Sequence, residues 1–326
     1  MSKPADLLKT LRYLGEAAPF FLLMGFFKLI GIDAASAAGG FIGRHIYYRL
    51  GPASTARQNL KAAYPEKTDA EIEAIVREIC ENHGRVAGEY PHIGKIKVGP
   101  GERIETVGRE YADTAVASGK GVLFISGHFA NWETMANVAT HFGYDCALVY
   151  RPPNNPYVDR YIAGLRALRG PKEHITKGAA GTRRIFTFLR RGKAILMLAD
   201  QKTYEGVPAP FFGREVMTTP APATLALKLG CHLVPVSLER LHGAHFRMTV
   251  HPPLAFEPSG DHDRDVLELT AKINATLEEI VRRRPSQWLW THRRWTSERD
   301  IERMKAMNHT GGGTGVRVTR EGSSFN

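Results

Sequence analysis

The chain has 326 residues, 43% of them hydrophobic and 24% charged, so it holds ample apolar material for a globular core and is not a disordered polymer. Its three cysteines, Cys80, Cys146 and Cys231, lie far apart without C-x-x-C spacing, which excludes a disulfide framework and a zinc knuckle. A formal net charge of +11 favours polyanionic partners, whether nucleic acid, an anionic membrane surface or an acidic carrier protein, without choosing among them.

The first element is an apolar run over 17–32, AAPFFLLMGFFKLIGI, flanked by Lys3, Lys9 and Arg12 before and by Arg44, Arg49, Arg57 and Lys61 after. It falls short of the roughly 20 apolar residues of a membrane span and carries Pro19 and Lys28. Asp33 follows it where a signal-peptide cleavage site would need small residues. A helix lying in the membrane interface suits it best, with the basic flanks on anionic headgroups. A buried core helix and a single span are the alternatives. Residues 54–64 then read as a helix stopped by Pro65, and 69–88 as a second with Ile72, Ile75, Val76, Ile79 and Val86 on one stripe.

From Ile104 onward, short apolar runs alternate with helical patterns. Strands are expected at 121–126 (GVLFIS), 146–150, 194–199 and 232–238, and helices at 131–141, 156–168, 182–190, 220–229 and 263–283. Strands without polar alternation are buried on both faces, which predicts an α/β fold with a mostly parallel central sheet covered by helices. The alternating run 246–251 reads as an antiparallel edge, and the glycine-rich end beyond Thr310 as a flexible tail.

Ligands of open parallel sheets gather beyond the carboxyl ends of the strands. Those positions hold Gly127-His128, Arg151-Pro152 and Asp200-Gln201. His128 directly follows a buried run, and Glu133 stands five residues on, near the first turn of a helix. A carboxylate on one ring nitrogen fixes the tautomer and leaves the other nitrogen to take a proton. The spacing alone also fits a structural hydrogen bond. No H-E-x-x-H supports zinc, so no metal is expected, and no Ser or Cys occupies a nucleophile elbow, so the substrate's own hydroxyl would attack.

The segment SGHFANWE at 126–133 resembles the first motif of the bacterial lipid A late (lauroyl/myristoyl) acyltransferases, relatives of the wider lysophospholipid and glycerolipid acyltransferase superfamily. Further blocks agree in order: Tyr150-Arg151-Pro152 with Asn154-Asn155, then Ala199-Asp200-Gln201 with Pro210-Phe211-Phe212-Gly213 and Thr218-Thr219, and finally QWLWTHRR at 287–294. The likeness spans about 7–295. It implies His128 and Glu133 as a catalytic dyad, with glutamate where the wider superfamily has aspartate. It also implies a needed arginine at Arg166, for which Arg160 and Arg169 are rivals, and a needed aspartate at Asp200.

Substrate contacts are then expected from Asn131, Arg151, Arg166, Asp200, Gln201 and Arg294, and Phe211 and Phe212 are expected at the acyl-chain entrance. Backbone N–H groups at the start of the Asn131 helix are the expected oxyanion donors. The resemblance further implies acyl carrier protein as donor, a lipid A precursor as acceptor and no cofactor. The implied location is the cytoplasmic face of the inner membrane. Docking of the carrier or of anionic lipid would use Arg282, Arg283, Arg284, Arg293 and Arg294, or these form a solvated face.

The chain divides on this reading into membrane-associating helices (1–50), a helical cap (51–100), an α/β acyltransferase domain (101–300) and a flexible tail (301–326). Three rivals remain. One is another glycolipid or lysophospholipid acceptor, and another is a hydrolase using the same dyad on water. The third is a non-catalytic peripheral membrane or nucleic-acid-binding protein, against which stands the lack of basic-aromatic nucleic-acid motifs.

Overall fold

The structure, a computed structural model, describes residues 4–295 except 177. Four helices come first: α1 (Pro4–Ile30), α2 (Ile32–His45), α3 (Gly51–Ala63) and α4 (Asp69–Glu89). The sheet region follows as β1 (Ile104–Val107), α5 (Arg109–Ala117), β2 (Val122–Ser126), α6 (Met135–His141), β3 (Cys146–Tyr150), α7 (Pro156–Ala167), β4 (Glu173–Thr176), α8 (Ala179–Arg190) and β5 (Ala194–Leu198). Then come β6 (Lys202–Phe211), β7 (Arg214–Thr218), α9 (Ala221–Leu229), β8 (His232–His242), β9 (His245–Val250) and α10 (His262–Arg283).

Seven strands form one sheet in the order β1-β9-β8-β2-β5-β3-β4. Every neighbouring pair is parallel except β8 with β9. The mostly parallel, helix-covered sheet expected from the buried runs is therefore present. Every residue of β2 is buried, as its unbroken apolar sequence requires. The stretch 246–251 does pair antiparallel, but it is not an edge: β9 lies between β8 and β1, and β1 is the edge. Arg247 and Glu105 on the β9–β1 pair form a salt bridge, so the polar alternation reflects solvent on one face rather than a missing neighbour.

The hairpin β6–β7 has no counterpart in the sequence reading. It forms its own two-stranded sheet, with a register shift between Lys202 and Val207. Its turn carries Phe212 at φ 52°, a left-handed conformation uncommon for a residue with a side chain.

The helix starts follow local chemistry. Thr68 and Glu71 close a capping box on α4, and Asp261 caps α10 by accepting from the N–H groups of Asp263 and Arg264. One continuous core runs from Ala53, Leu60 and Ile72 through the sheet to Trp288, Trp290 and Trp295. Helices α2 and α4 touch backbone to backbone: a Cβ on Gly39 would lie 2.1 Å from the Gly84 carbonyl oxygen.

Helix α1 is longer than the apolar run suggests. It begins at Pro4 and continues past Pro19, and its stretch Leu8–Ile30, 23 residues long, is long and apolar enough to cross a membrane. Leu8, Leu11, Leu14, Leu22, Phe26 and Leu29 are exposed along it. The expected tail over 301–326 lies outside the described residues.

Candidate active site

Strand β2 ends at Ser126 and hands the chain to Gly127 and His128. Its parallel neighbour β5 pairs Leu198 with Ser126, so two residues further on Asp200 stands beside His128. Asp200 accepts from the His128 backbone N–H at 2.7 Å (Oδ2) and lies 2.8 Å from the imidazole Nδ1 (Oδ1). The Trp288 indole N–H donates to Oδ2 at 2.7 Å. Gly127 permits this approach, since a Cβ there would meet Asp200 Oδ2 at 3.0 Å and the Phe129 ring at 2.8 Å.

Burial works to raise the Asp200 carboxyl. The charge of His128 and the hydrogen bonds from His128 and Trp288 outweigh it and hold the group at about 2, so it is ionised across the working range. The imidazole edge packs on Trp132 at 5.2 Å, and Nε2 lies 3.4 Å from the Gln201 amide nitrogen.

The loop that follows is strapped from two directions. Ala130 sits at φ 46°. Its N–H donates to the Gln287 carbonyl at 2.7 Å, and its own carbonyl accepts from Asn82 Nδ2. These bonds hold a turn that alanine rarely adopts unaided. The chain then makes a short 3-10 turn, Trp132–Thr134, which carries Glu133 towards α7.

There the Glu133 carboxylate accepts two charge-assisted bonds from Arg166, Nε to Oε2 at 2.6 Å and Nη2 to Oε1 at 2.7 Å. Trp132 Nε1 adds a third at 3.2 Å. Burial acts to raise the Glu133 carboxyl, but Arg166, the Tyr90 hydroxyl and the charge of His128 together hold it below the usual glutamate range.

The sequence reading placed Glu133 on the imidazole. The carboxylate hydrogen-bonded to the imidazole is instead Asp200, and Glu133 is bound to Arg166. A bidentate guanidinium, always charged, is a stronger partner for a buried carboxylate than a single imidazole N–H.

A cavity of about 490 Å³ opens from this cluster and runs under α6 across the face of the sheet. His128, Glu133, Arg151, Arg166 and Gln201 all line it, as does His292. Trp132, Met135, Leu196 and Leu198 supply apolar wall, and Arg151, Pro152, Pro153 and Asn154 form one side of the polar end. Burial and the charge of His128 lower the His292 imidazole.

Five expected contacts do not reach this cavity: Asp200, which stands behind His128, and Asn131, Phe211, Phe212 and Arg294. Asn131 is fully buried and donates from Nδ2 to Glu89 Oε2 at 2.8 Å. Glu89 is also held by Ser36 and by the Arg240 guanidinium. Phe211 and Phe212 are not at an entrance: their rings stack into Trp288, Trp290 and Trp295 in the core. Arg294, also buried, donates to Thr218 Oγ1, Asn274 Oδ1 and the Met217 carbonyl, tying the hairpin to α10. Its burial pushes the guanidinium down to about 10.

The N–H groups of Phe129 and Ala130, which precede the expected helix, are engaged by the Gly127 and Gln287 carbonyls. Of the rivals to Arg166, Arg169 donates to the Gly94 carbonyl, away from Glu133.

Sequence reasoning missed Tyr90, His292 and Trp288 as parts of the site. Trp288 and His292 lie in the QWLWTHRR block, so that block was the signal. Tyr90 had none, since it joins the site only through the packing of α4 on the catalytic loop.

A family model described as bacterial lipid A biosynthesis acyltransferase matches residues 5–297. The chain belongs to this family and is an O-acyltransferase. It is similar to the lipid A biosynthesis palmitoleoyltransferase of Escherichia coli (strain K12), 26% identical over 250 residues, covering 74% of this chain and 78% of the relative. It is similar to the same organism's lipid A biosynthesis lauroyltransferase, 26% identical over 253 residues with the same two coverages. A lipid A biosynthesis acyltransferase of Haemophilus influenzae is 24% identical over 247 residues, covering 72% of this chain and 73% of the relative.

Proposed function

We propose that the protein moves a fatty acyl group from the thioester of acyl carrier protein to a hydroxyl of a lipid A precursor, with His128 as general base. The observation that carries this reading is the imidazole itself. Its Nδ1 is committed to a buried, ionised Asp200, while its Nε2 lies beside Gln201 at the polar end of an apolar cavity. In that arrangement Asp200 fixes the tautomer and stabilises the imidazolium that forms.

Nε2 takes the proton of the acceptor hydroxyl as its oxygen attacks the thioester carbonyl. The tetrahedral oxyanion collapses, the C–S bond breaks, and the imidazolium returns the proton to the departing thiolate. The substrate hydroxyl is the nucleophile in this scheme. Ser126, the serine in the cavity wall, donates its hydroxyl to the Val236 carbonyl at 2.6 Å.

Two groups support the developing charge and the substrate. Gln201 offers its amide beside Nε2, where an oxyanion would form. Arg166 is fixed through Nε and Nη2 by Glu133, and its Nη1 is buried without a hydrogen-bond partner. That third nitrogen is placed to meet an oxygen of bound substrate. Arg151, exposed at the mouth, suits a phosphate of the acceptor.

The membrane assignment draws on α1. Its exposed apolar face would sit in lipid on the cytoplasmic side of the inner membrane. The helix also abuts the mouth of the cavity: Asn155 donates to the Tyr13 carbonyl at 2.8 Å, and Phe20 and Phe21 pack on Tyr161 of α7. A lipid acceptor leaving the bilayer beside α1 would thus meet Arg151 first.

The test is mass spectrometry of the products that purified protein forms from mixed acyl carrier thioesters and lipid A precursor. Acylated lipid A precursor is the expected product. Release of free fatty acid alone would identify a hydrolase, and acylation of a lysophospholipid in preference would move the acceptor class.

A further inference from the structure

The cavity does not stop where the polar groups stop. It follows α6 from Trp132 to Phe142, and α6 alone covers about 10 Å at 1.5 Å per residue. An ordinary protein interior would fill such a space. Three of the side chains that line it from the helices are alanines, Ala136 and Ala139 on α6 and Ala112 on α5, beside Met135 and Val138 of α6.

The far end is different in kind. The Tyr144 ring lies nearly parallel to that of Phe124, with centroids 6.0 Å apart, and Phe142 stands 6.1 Å away. Asp113, outside the cavity lining, stands behind the ring of Tyr144, which lines the cavity. The Tyr144 hydroxyl donates to Asp113 Oδ1 at 2.6 Å. Asp113 is paired with Arg109 at 3.1 Å, and the Arg109 guanidinium covers the Phe142 ring at 4.1 Å.

We propose that Tyr144, set against Phe124 and Phe142 and held through its hydroxyl by Asp113, itself paired with Arg109, is the stop that sets the length of acyl chain the enzyme transfers. The inference rests on the cavity being the acyl site. A linear chain entering from His128 gains contact with each methylene until its end meets this ring. A longer chain must displace the ring and break the hydroxyl bond to Asp113, or leave its thioester short of Nε2. Discrimination at such a stop is about tenfold or more for each methylene. A tyrosine suits the position better than a phenylalanine because its hydroxyl gives the ring a fixed outer anchor.

The experiment is competition among saturated acyl carrier thioesters of increasing chain length, with full-length protein and products counted by mass spectrometry. In Tyr144→Ala the ratio of kcat/KM for chains longer than the wild-type optimum to that optimum should rise about tenfold or more. Asp113→Ala should move the profile the same way by less. Ala139→Phe, which fills the middle of the cavity, should move the optimum to shorter chains.

A folded, active Tyr144→Ala with the wild-type profile overturns the stop. If that variant does not fold, an unchanged profile in Ala139→Phe overturns it equally. Wild-type protein that transfers no acyl group from any of these thioesters would instead refute the acyl-site reading, and the stop would fall with it.

Discussion

Two buried carboxylates stand at the polar end of the cavity, Glu133 in its lining and Asp200 behind His128, and they are tied to opposite kinds of partner. Asp200, beyond the end of β5, is bound to an imidazole, the proposed general base. Glu133, on the turn before α6, is bound bidentately to a guanidinium that never loses its charge. Both are ionised, since their partners outweigh burial in each case. The lesson lies in the partner. In the proposed mechanism only the carboxylate on a titratable group is coupled to proton transfer, whereas the one on a permanent cation holds a side chain and a charge in place.

The sharpest way to break this contrast is at the shared centre. His128→Ala should lower acyl transfer by about 10²–10⁴-fold with the fold intact, as judged by turnover and far-UV circular dichroism. Near-wild-type turnover would end the proposed mechanism for both carboxylates.

Asp200→Asn comes next, and should cost about 10²-fold or more in kcat. An amide N–H facing Nδ1 would move the ring proton to Nε2 and block the base. If Glu133→Gln proved more damaging to kcat than Asp200→Asn, the roles assigned to the two carboxylates would have to be exchanged.

Glu133→Ala should act first on stability. It leaves the Arg166 cation buried and unpaired, at a cost of about 3 kcal/mol in chemical denaturation. Replacing both partners by leucine should recover much of that stability while leaving kcat/KM low. Recovery of activity in the double variant would reduce the pair to packing.

The acid limb of stability gives a smaller effect. The folded-state Asp200 carboxyl sits at about 2 against an ordinary 3.8. Its contribution is therefore full above the ordinary value and is lost as pH falls through about 2. That amounts to about 2 kcal/mol, and Asp200→Asn should flatten this part of the stability profile by as much. Smallest of all, Trp288→Phe removes one donor to Asp200. It should cost about 1 kcal/mol of stability and a few-fold in kcat, and an unchanged kcat would show the indole to be packing alone.

Much of the fold was legible because its signals are local. GVLFIS, CALVY and AILMLA read as strands from their own apolar runs, and α4 and α10 from their stripes and caps. The hairpin β6–β7 was hidden because β6 carries Pro208 and Pro210, which argue against a strand until the partner strand is known. Phe211, Phe212 and Arg294 stood in motif blocks and so were read as substrate contacts. Their burial against tryptophans and Thr218 shows that a recurring block can hold the frame of a site as well as its surface.

By itself, the sequence determined that His128, Arg151 and Asp200 stand just beyond strand ends, because each follows an apolar run whose length and composition specify a buried strand. Only the tertiary structure decided which carboxylate reaches the imidazole. That choice depends on β5 lying directly beside β2 with Leu198 opposite Ser126, a pairing across 72 positions that no local pattern encodes. The five-residue spacing to Glu133 was the nearer candidate in the chain. The left-handed turn at Ala130 and the waiting charge of Arg166 took that side chain elsewhere.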